Sequence, residues 1–151
     1  MIKALVALTA FAIPFAVIAQ TANNVPWEGT WKENVAKSTY QPGPPPKSAT
    51  VTIASDGKVT YKDVSGDGQS SHWFVTPEQG KAVQVNGVQD LTVTRESQTG
   101  NTYTDTWKGP SGTTRTGKGV LSKDGKTLTY TMQGTNPKGQ RVDHILIFEK
   151  Q

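Results

Sequence analysis

The segment from Gly117 to Tyr130, GKGVLSKDGKTLTY, decides which fold the chain can adopt. Its centre is Asp124-Gly125, a dipeptide that favours a two-residue hairpin turn because both residues accept a positive φ. Apolar and polar residues alternate on both sides, so the turn determines which residues share a face. The segment therefore predicts an antiparallel hairpin. Its facing pairs are Leu121 with Leu128, Gly119 with Tyr130, and Gly117 with Met132.

Three further turns extend this pattern, at residues 137–139, 55–57 and 98–100. Each fits a three-residue hairpin loop that ends on a left-handed glycine. The first turn continues the apolar face onto a third strand. It pairs Met132 with His144, Tyr130 with Leu146, and Leu128 with Phe148. The second and third turns pair Ile53 with Val59, Val51 with Tyr61, Leu91 with Trp107, Val93 with Asp105, and Arg95 with Tyr103.

Short alternating runs rich in Thr, Val and Tyr recur along the chain, whereas no helical periodicity follows Trp27. Threonines occupy the opposite face of the predicted strands, which suits an exposed strand surface. Consecutive hairpins of this kind predict an all-β, antiparallel up-and-down barrel of about eight to ten strands. A β-sandwich is the alternative. The candidate strands cover residues 28–34, 48–54, 58–64, 69–75, 81–86, 89–97, 101–108, 113–122, 126–133 and 140–149.

The first residues have the pattern of a signal peptide, which we predict to span residues 1–19. A basic start precedes an apolar run from Ala4 to Ala19, which is shorter than the roughly 20 residues that a membrane-spanning helix needs. A membrane anchor is the alternative. We therefore expect export to the periplasm or the extracellular space, without stable membrane insertion after cleavage. A flexible segment over 20–27 and a barrel domain over 28–151 would follow.

Charge and cysteine usage narrow the possible functions. The chain has a formal net charge of +4, and its basic residues are scattered among acidic ones. Nucleic-acid-binding proteins usually cluster their basic residues on one face, so we expect no nucleic-acid partner. The chain contains no cysteine, which excludes a disulfide framework and a lipid-attachment thiol.

Both ends of the predicted barrel domain resemble known barrel families. GTWKEN, from Gly29, resembles the Gly-x-Trp start of lipocalins and the GTWK start of fatty-acid-binding proteins, and the terminal ILIFEK resembles the last strand of the latter. Both families belong to the calycin superfamily. Most of the chain after residue 19 also resembles a group of exported bacterial proteins, on GTWKENVAKSTYQPGPPPKS and SKDGKTLTYTMQGTNPKGQ. These resemblances imply a lipocalin-like fold and no particular activity.

Two departures from the fatty-acid-binding pattern bear on the ligand. A proline-rich segment, STYQPGPPPKS from Ser38, stands where that family has a helical hairpin, so any lid is absent or different. Leu146 and Phe148 align with the arginine and tyrosine that bind a carboxylate in that family. If a ligand binds, the resemblance therefore implies one that is neutral or mainly apolar.

In a closed meander, the proline-rich segment lies at one end with four of the turns, and both chain termini lie at the other. We expect Trp31 and Phe148 to fill the end with the termini, and the proline end to be the mouth of a ligand site. The candidate ligand-binding residues are Leu91, Trp107, Arg115, Tyr130, Met132, His144 and Leu146.

The polar residues of the inner face point to no particular reaction. His144 is the more interesting of the two histidines because it faces Met132, but one histidine makes no metal site, so we predict neither a metal nor a cofactor. We favour a histidine that is hydrogen-bonded within the barrel. Arg95 and Asp105 could orient a polar ligand group, but an internal ion pair is favoured because buried charges usually need partners.

We therefore expect an exported, lipocalin-like, non-catalytic protein that binds a small, mainly apolar ligand inside its barrel. The alternative is an envelope or extracellular interaction module with a filled barrel, whose proline-rich loop, Pro42 to Pro46, contacts a protein partner. The sequence names no such partner. Enzyme activity is a third possibility, and His144, Asp105 and Arg115 are the groups to test for it.

Overall fold

The computed structural model describes residues 26–151. The predicted signal peptide, residues 1–19, lies outside the described residues, as does most of the segment 20–27. In the described part of the chain, no helix is long and apolar enough to cross a membrane.

Ten antiparallel strands form one continuous sheet. The strands are β1 (Gly29–Glu33), β2 (Ser48–Ile53), β3 (Val59–Val64), β4 (Ser70–Val75), β5 (Ala82–Gln84), β6 (Thr92–Thr99), β7 (Thr102–Lys108), β8 (Thr114–Leu121), β9 (Thr127–Thr135) and β10 (Arg141–Lys150). Strands that follow each other in sequence pair in space, with the exception of β4 and β5, and β1 also pairs with β10. This order leaves β4 and β5 at the two edges of the sheet. The predicted all-β up-and-down barrel is confirmed, and the two-sheet sandwich is not formed.

The barrel is nearly closed at the seam between its two edge strands. Just beyond β5, the Asn86 N–H donates to the Phe74 carbonyl at 2.9 Å, and the Phe74 N–H donates back at 3.0 Å. Gly87 follows with a φ of 95°, and a Cβ there would lie 2.6 Å from the His72 carbonyl oxygen. The close approach at the seam therefore depends on a residue without a side chain.

Most of the predicted hairpin registers are confirmed. Leu121 pairs with Leu128, Met132 with His144, and Ile53 with Val59, together with their predicted neighbours. The prediction for β6 and β7 was wrong, because Val93 faces Trp107 and Arg95 faces Asp105. The hairpin closes with Thr99 opposite Thr102, and a bulge between Arg95 and Ser97 absorbs one residue. The register of the inner residues shifts by two, which keeps the same side chains inside.

Two apolar clusters fill parts of the interior. The first lies at the end where the termini meet and includes Trp31 and Phe148, as expected. Trp31 is fully buried, and its indole N–H donates to the Trp27 carbonyl at 2.9 Å. Trp27 belongs to the segment that we expected to be flexible, yet it is buried and packs edge-on against Tyr103. The second cluster comprises Val75, Val85, Leu91, Val93 and Trp107.

Candidate ligand cavity beneath the proline-rich loop

The barrel interior holds a cavity of about 540 Å³. All seven candidate ligand-binding residues line it: Leu91, Trp107, Arg115, Tyr130, Met132, His144 and Leu146. Leu91 directly precedes β6, and the other six lie on β7 to β10, where the inner positions of successive hairpins face one space. A cavity of this size does not fit the filled barrel of the interaction-module interpretation, and a protein partner for the loop stays a prediction.

Aromatic rings form much of the cavity wall. Tyr61 of β3 stacks on Trp73 of β4 with ring centres 5.1 Å apart, and Trp73 meets Trp107 edge-on at 5.6 Å. The Trp107 indole N–H donates to the Tyr130 hydroxyl at 2.8 Å. Burial raises the pKa of Tyr61 and of Tyr130, so both hydroxyls stay neutral.

Tyr61 and Trp73 are missing from the residues that the sequence predicted for the site. The Val51–Tyr61 pairing already placed Tyr61 on the inner face, and the same alternation carried onto β4 would have found Trp73. The prediction considered only strands β6 to β10 near the mouth. Since the sheet closes on itself, β3 and β4 contribute to the same cavity.

The proline-rich segment forms one wall of the cavity and is attached to β10. Thr39 and Ile145 form a β-bridge, and the Asp143 N–H donates to the Gln41 carbonyl at 2.7 Å. Prolines 42, 44, 45 and 46 then contribute to the cavity lining. A proline-rich stretch has few backbone donors, so it can pass over a cavity without leaving many N–H groups unpaired. The resemblance to fatty-acid-binding proteins implied that a helical lid is absent or different here. The proline-rich segment lies over the cavity at that position.

Tyr40 and Glu33 link this loop to the barrel interior. The Tyr40 hydroxyl donates a hydrogen bond to Glu33 Oε1, and the Glu33 side chain is buried. Glu33 Oε2 is also buried and has no hydrogen-bond partner. Desolvation raises the pKa of Tyr40, and the hydrogen bond to Glu33 raises it further. The tyrosine therefore remains a hydrogen-bond donor to the carboxylate.

His144 lies between the loop and the cavity. Its ring centre is 5.2 Å from that of Tyr40, and a ring N–H donates to the Pro42 carbonyl. This contact fits the expected hydrogen-bonded histidine. Its Nε2 atom, however, is buried without a partner. Burial lowers the pKa of His144, the positive charge of Arg115 lowers it further, and the Pro42 bond and Asp143 oppose the shift.

Arg95 and Asp105 form the internal ion pair that was favoured from the sequence. Arg95 Nε lies 2.5 Å from Asp105 Oδ1, and the two side chains are only 13% and 4% exposed. The corrected register places them directly opposite each other rather than diagonally. The Arg95 guanidinium also lies 4.2 Å from the centre of the Tyr103 ring. Both charges thus have partners at the cavity wall.

Within residues 26–151, no three His, Asp or Glu side chains gather in an arrangement that could hold a metal ion. No protein-family model matches the chain, and no curated protein is significantly similar to it.

Proposed function

We propose that the protein is an exported, lipocalin-like carrier or receptor that binds a small, mainly apolar molecule inside its barrel and performs no reaction on it. The cavity is the observation that carries this proposal. Its volume of about 540 Å³ lies within the roughly 300–1,000 Å³ that ligand pockets of proteins usually span.

The chemistry of the cavity wall supports an apolar ligand. Trp73, Trp107 and Leu91 offer ring faces and aliphatic surface to the interior. Several of the polar groups there already have protein partners, namely Arg95 with Asp105 and Trp107 with Tyr130. Burial of apolar surface would therefore supply most of the binding free energy, at roughly 25 cal/mol per Å².

Substitution of two adjacent residues on β10 tests the proposal. Leu146 lines the cavity, whereas Ile145 is 43% exposed on the outside of the barrel. Leu146→Trp would fill the space that the ligand needs, and we expect it to weaken binding at least about tenfold, or about 1.4 kcal/mol. Ile145→Trp makes the same change on the other face and should leave affinity near the wild-type value.

The measurement is fluorescence titration of delipidated protein with neutral apolar fluorophores such as phenylnaphthylamine. Circular dichroism and thermal unfolding verify that both variants keep the fold. The proposal is wrong if no probe of such a panel binds saturably to the wild type. Equal affinities in the two tryptophan variants would also contradict it.

A further inference from the structure

Arg115 contributes a positive charge to the cavity that no carboxylate balances. It lies near the start of β8 and lines the cavity, yet it belongs to none of the ion pairs formed within residues 26–151. The polar contact seen for its guanidinium is from Nη1 to the Met132 sulfur at 3.9 Å. A thioether is a weak acceptor, whereas a guanidinium carries five donors.

Gly134 provides the space that Arg115 occupies. The two residues face each other across β8 and β9. Gly134 has a φ of 148°, and a Cβ there would lie 2.9 Å from Arg115 Cγ and 2.3 Å from the Thr114 carbonyl oxygen. Any larger residue would collide with the backbone of β8 and with the arginine stem. The arginine side chain therefore lies over β9, with its head group at Met132.

His144 is the next polar group along the same line. It pairs with Met132 across β9 and β10, and the Arg115 charge acts on its ring. Three neighbouring strands thus place a guanidinium, a thioether and an imidazole side by side at the cavity wall. The guanidinium has unused donors, and the buried Nε2 of the imidazole has no partner.

We propose that Arg115 and His144 form a subsite for the anionic group, in the simplest case a carboxylate, of an otherwise apolar ligand. This inference rests on the proposed function, since the apolar part of that ligand would occupy the cavity. It replaces the neutral ligand that the sequence led us to expect. A carboxylate matches the planar fork of a guanidinium, and charge-assisted hydrogen bonds of this kind are the stronger ones.

The same geometry makes binding dependent on pH. The groups around His144 are Arg115 from β8, the neutral Met132 from β9, Asp143 on its own strand, and Tyr40 from the loop with Glu33 behind it. A bound anion would offset the Arg115 charge and accept a hydrogen bond from protonated Nε2. Proton uptake by His144 would therefore accompany binding, and affinity for the anion would rise as pH falls.

A matched pair of probes tests the subsite, naphthaleneacetate as the anion and naphthaleneethanol as its neutral analogue. Calorimetric titration of the wild type at neutral pH should show tighter binding of the anion. Arg115→Met keeps the stem and removes the charge. It should reduce affinity for naphthaleneacetate about 10- to 100-fold more than affinity for naphthaleneethanol. Arg115→Lys keeps the positive charge but lacks the planar fork. Its affinity for naphthaleneacetate should lie between that of the wild type and that of Arg115→Met.

The pH dependence tests the histidine. Between about pH 8 and pH 5, where the probe carboxylate stays ionised, wild-type affinity for naphthaleneacetate should increase. His144→Gln should abolish this increase. His72→Gln is the control at the other histidine, which is exposed on β4, and it should behave like the wild type.

Each outcome has one meaning. If Arg115→Met weakens both probes equally, the anion subsite is wrong while the apolar cavity stands. A flat pH profile in the wild type overturns the role of His144. If neither probe binds to the wild type, the proposed function fails and this inference fails with it.

Discussion

The polar side chains of the interior differ in whether another group of the protein satisfies their hydrogen bonds and charges. Arg95 and Asp105 satisfy each other, whereas the buried Nε2 atom of His144 has no hydrogen-bond partner within the described residues, and the partly buried Arg115 contacts the weakly accepting sulfur of Met132. A buried polar group without a partner lowers stability unless something else binds it. His144 and Arg115 line the same cavity, and this is why we assign a ligand group to them.

His144 also predicts how folding stability depends on pH. Its pKa is lowered in the folded state, chiefly by burial and then by Arg115, so the unfolded chain takes up a proton first as the solution is acidified. The free energy of unfolding should therefore decrease as pH falls below about 6.5 toward the folded-state pKa. We expect a contribution below about 1 kcal/mol, because the ring is partly exposed and solvent screens it.

Urea unfolding of the ligand-free protein between about pH 8 and pH 5 measures this contribution. His144→Gln should show a weaker loss of stability on acidification than the wild type. His72→Gln should retain the wild-type profile because that histidine is exposed. If His144→Gln and the wild type lose stability in parallel, His144 does not titrate as argued.

The proline-rich loop is the element that turns an open barrel end into a covered cavity. Its first part continues along β10 through the Thr39–Ile145 bridge, and its tyrosine binds a carboxylate inside the barrel. The prolines that follow have no N–H groups to satisfy. Attachment of the loop therefore depends on the few hydrogen bonds around Tyr40.

Removal of one hydroxyl tests this attachment. Tyr40→Phe would leave the buried Glu33 carboxylate without the Tyr40 donor, so we expect a loss of about 1–3 kcal/mol in the free energy of unfolding. Tyr61→Phe is the matched control, because the Tyr61 hydroxyl makes no hydrogen bond within residues 26–151. It should change stability by less than about 0.5 kcal/mol. Urea unfolding at neutral pH compares the two, and equal losses would mean that the Tyr40–Glu33 bond does not hold the loop.

At the scale of the whole barrel, the strand pairing is weakest at the seam between β4 and the residues after β5. Elsewhere the strands share continuous ladders, as β9 and β10 do over nine residue pairs, whereas Phe74 and Asn86 form a single bridge at the seam. Local opening takes place where few hydrogen bonds and buried contacts must break. We therefore expect the barrel to open first at this seam.

Glycine substitutions test the seam by hydrogen exchange. Gly87→Ala places a Cβ 2.6 Å from the His72 carbonyl oxygen and should accelerate exchange of the Phe74 and Asn86 amides about tenfold or more. Amides of β9 and β10 should keep their wild-type protection. Gly80→Ala is the control, because Gly80 also has a positive φ but has open space around its Cβ position. If both variants accelerate exchange at the seam equally, backbone strain and not the close approach is responsible.

Much of this molecule could be predicted because its pairing is local. The hairpin at Asp124-Gly125 joins residues only a few positions apart, so turn chemistry and alternation determine which side chains face each other. The same reasoning placed all seven candidate residues on one cavity. It failed at β6 and β7 for two reasons. The chain turns between Thr99 and Thr102 instead of through the predicted three-residue loop, and a bulge between Arg95 and Ser97 then changes the register by one residue without altering the alternating pattern of the sequence.

The sequence by itself determined the strands, most of their registers and the inner face, since these depend on turns and on a two-residue period. Only the tertiary structure decided how the barrel closes at Gly87, how Trp27 packs, and how the proline-rich loop attaches to β10. It also decided that Arg115 lies over Gly134 beside His144. These arrangements depend on contacts between residues far apart in the chain, and no local periodicity encodes such contacts.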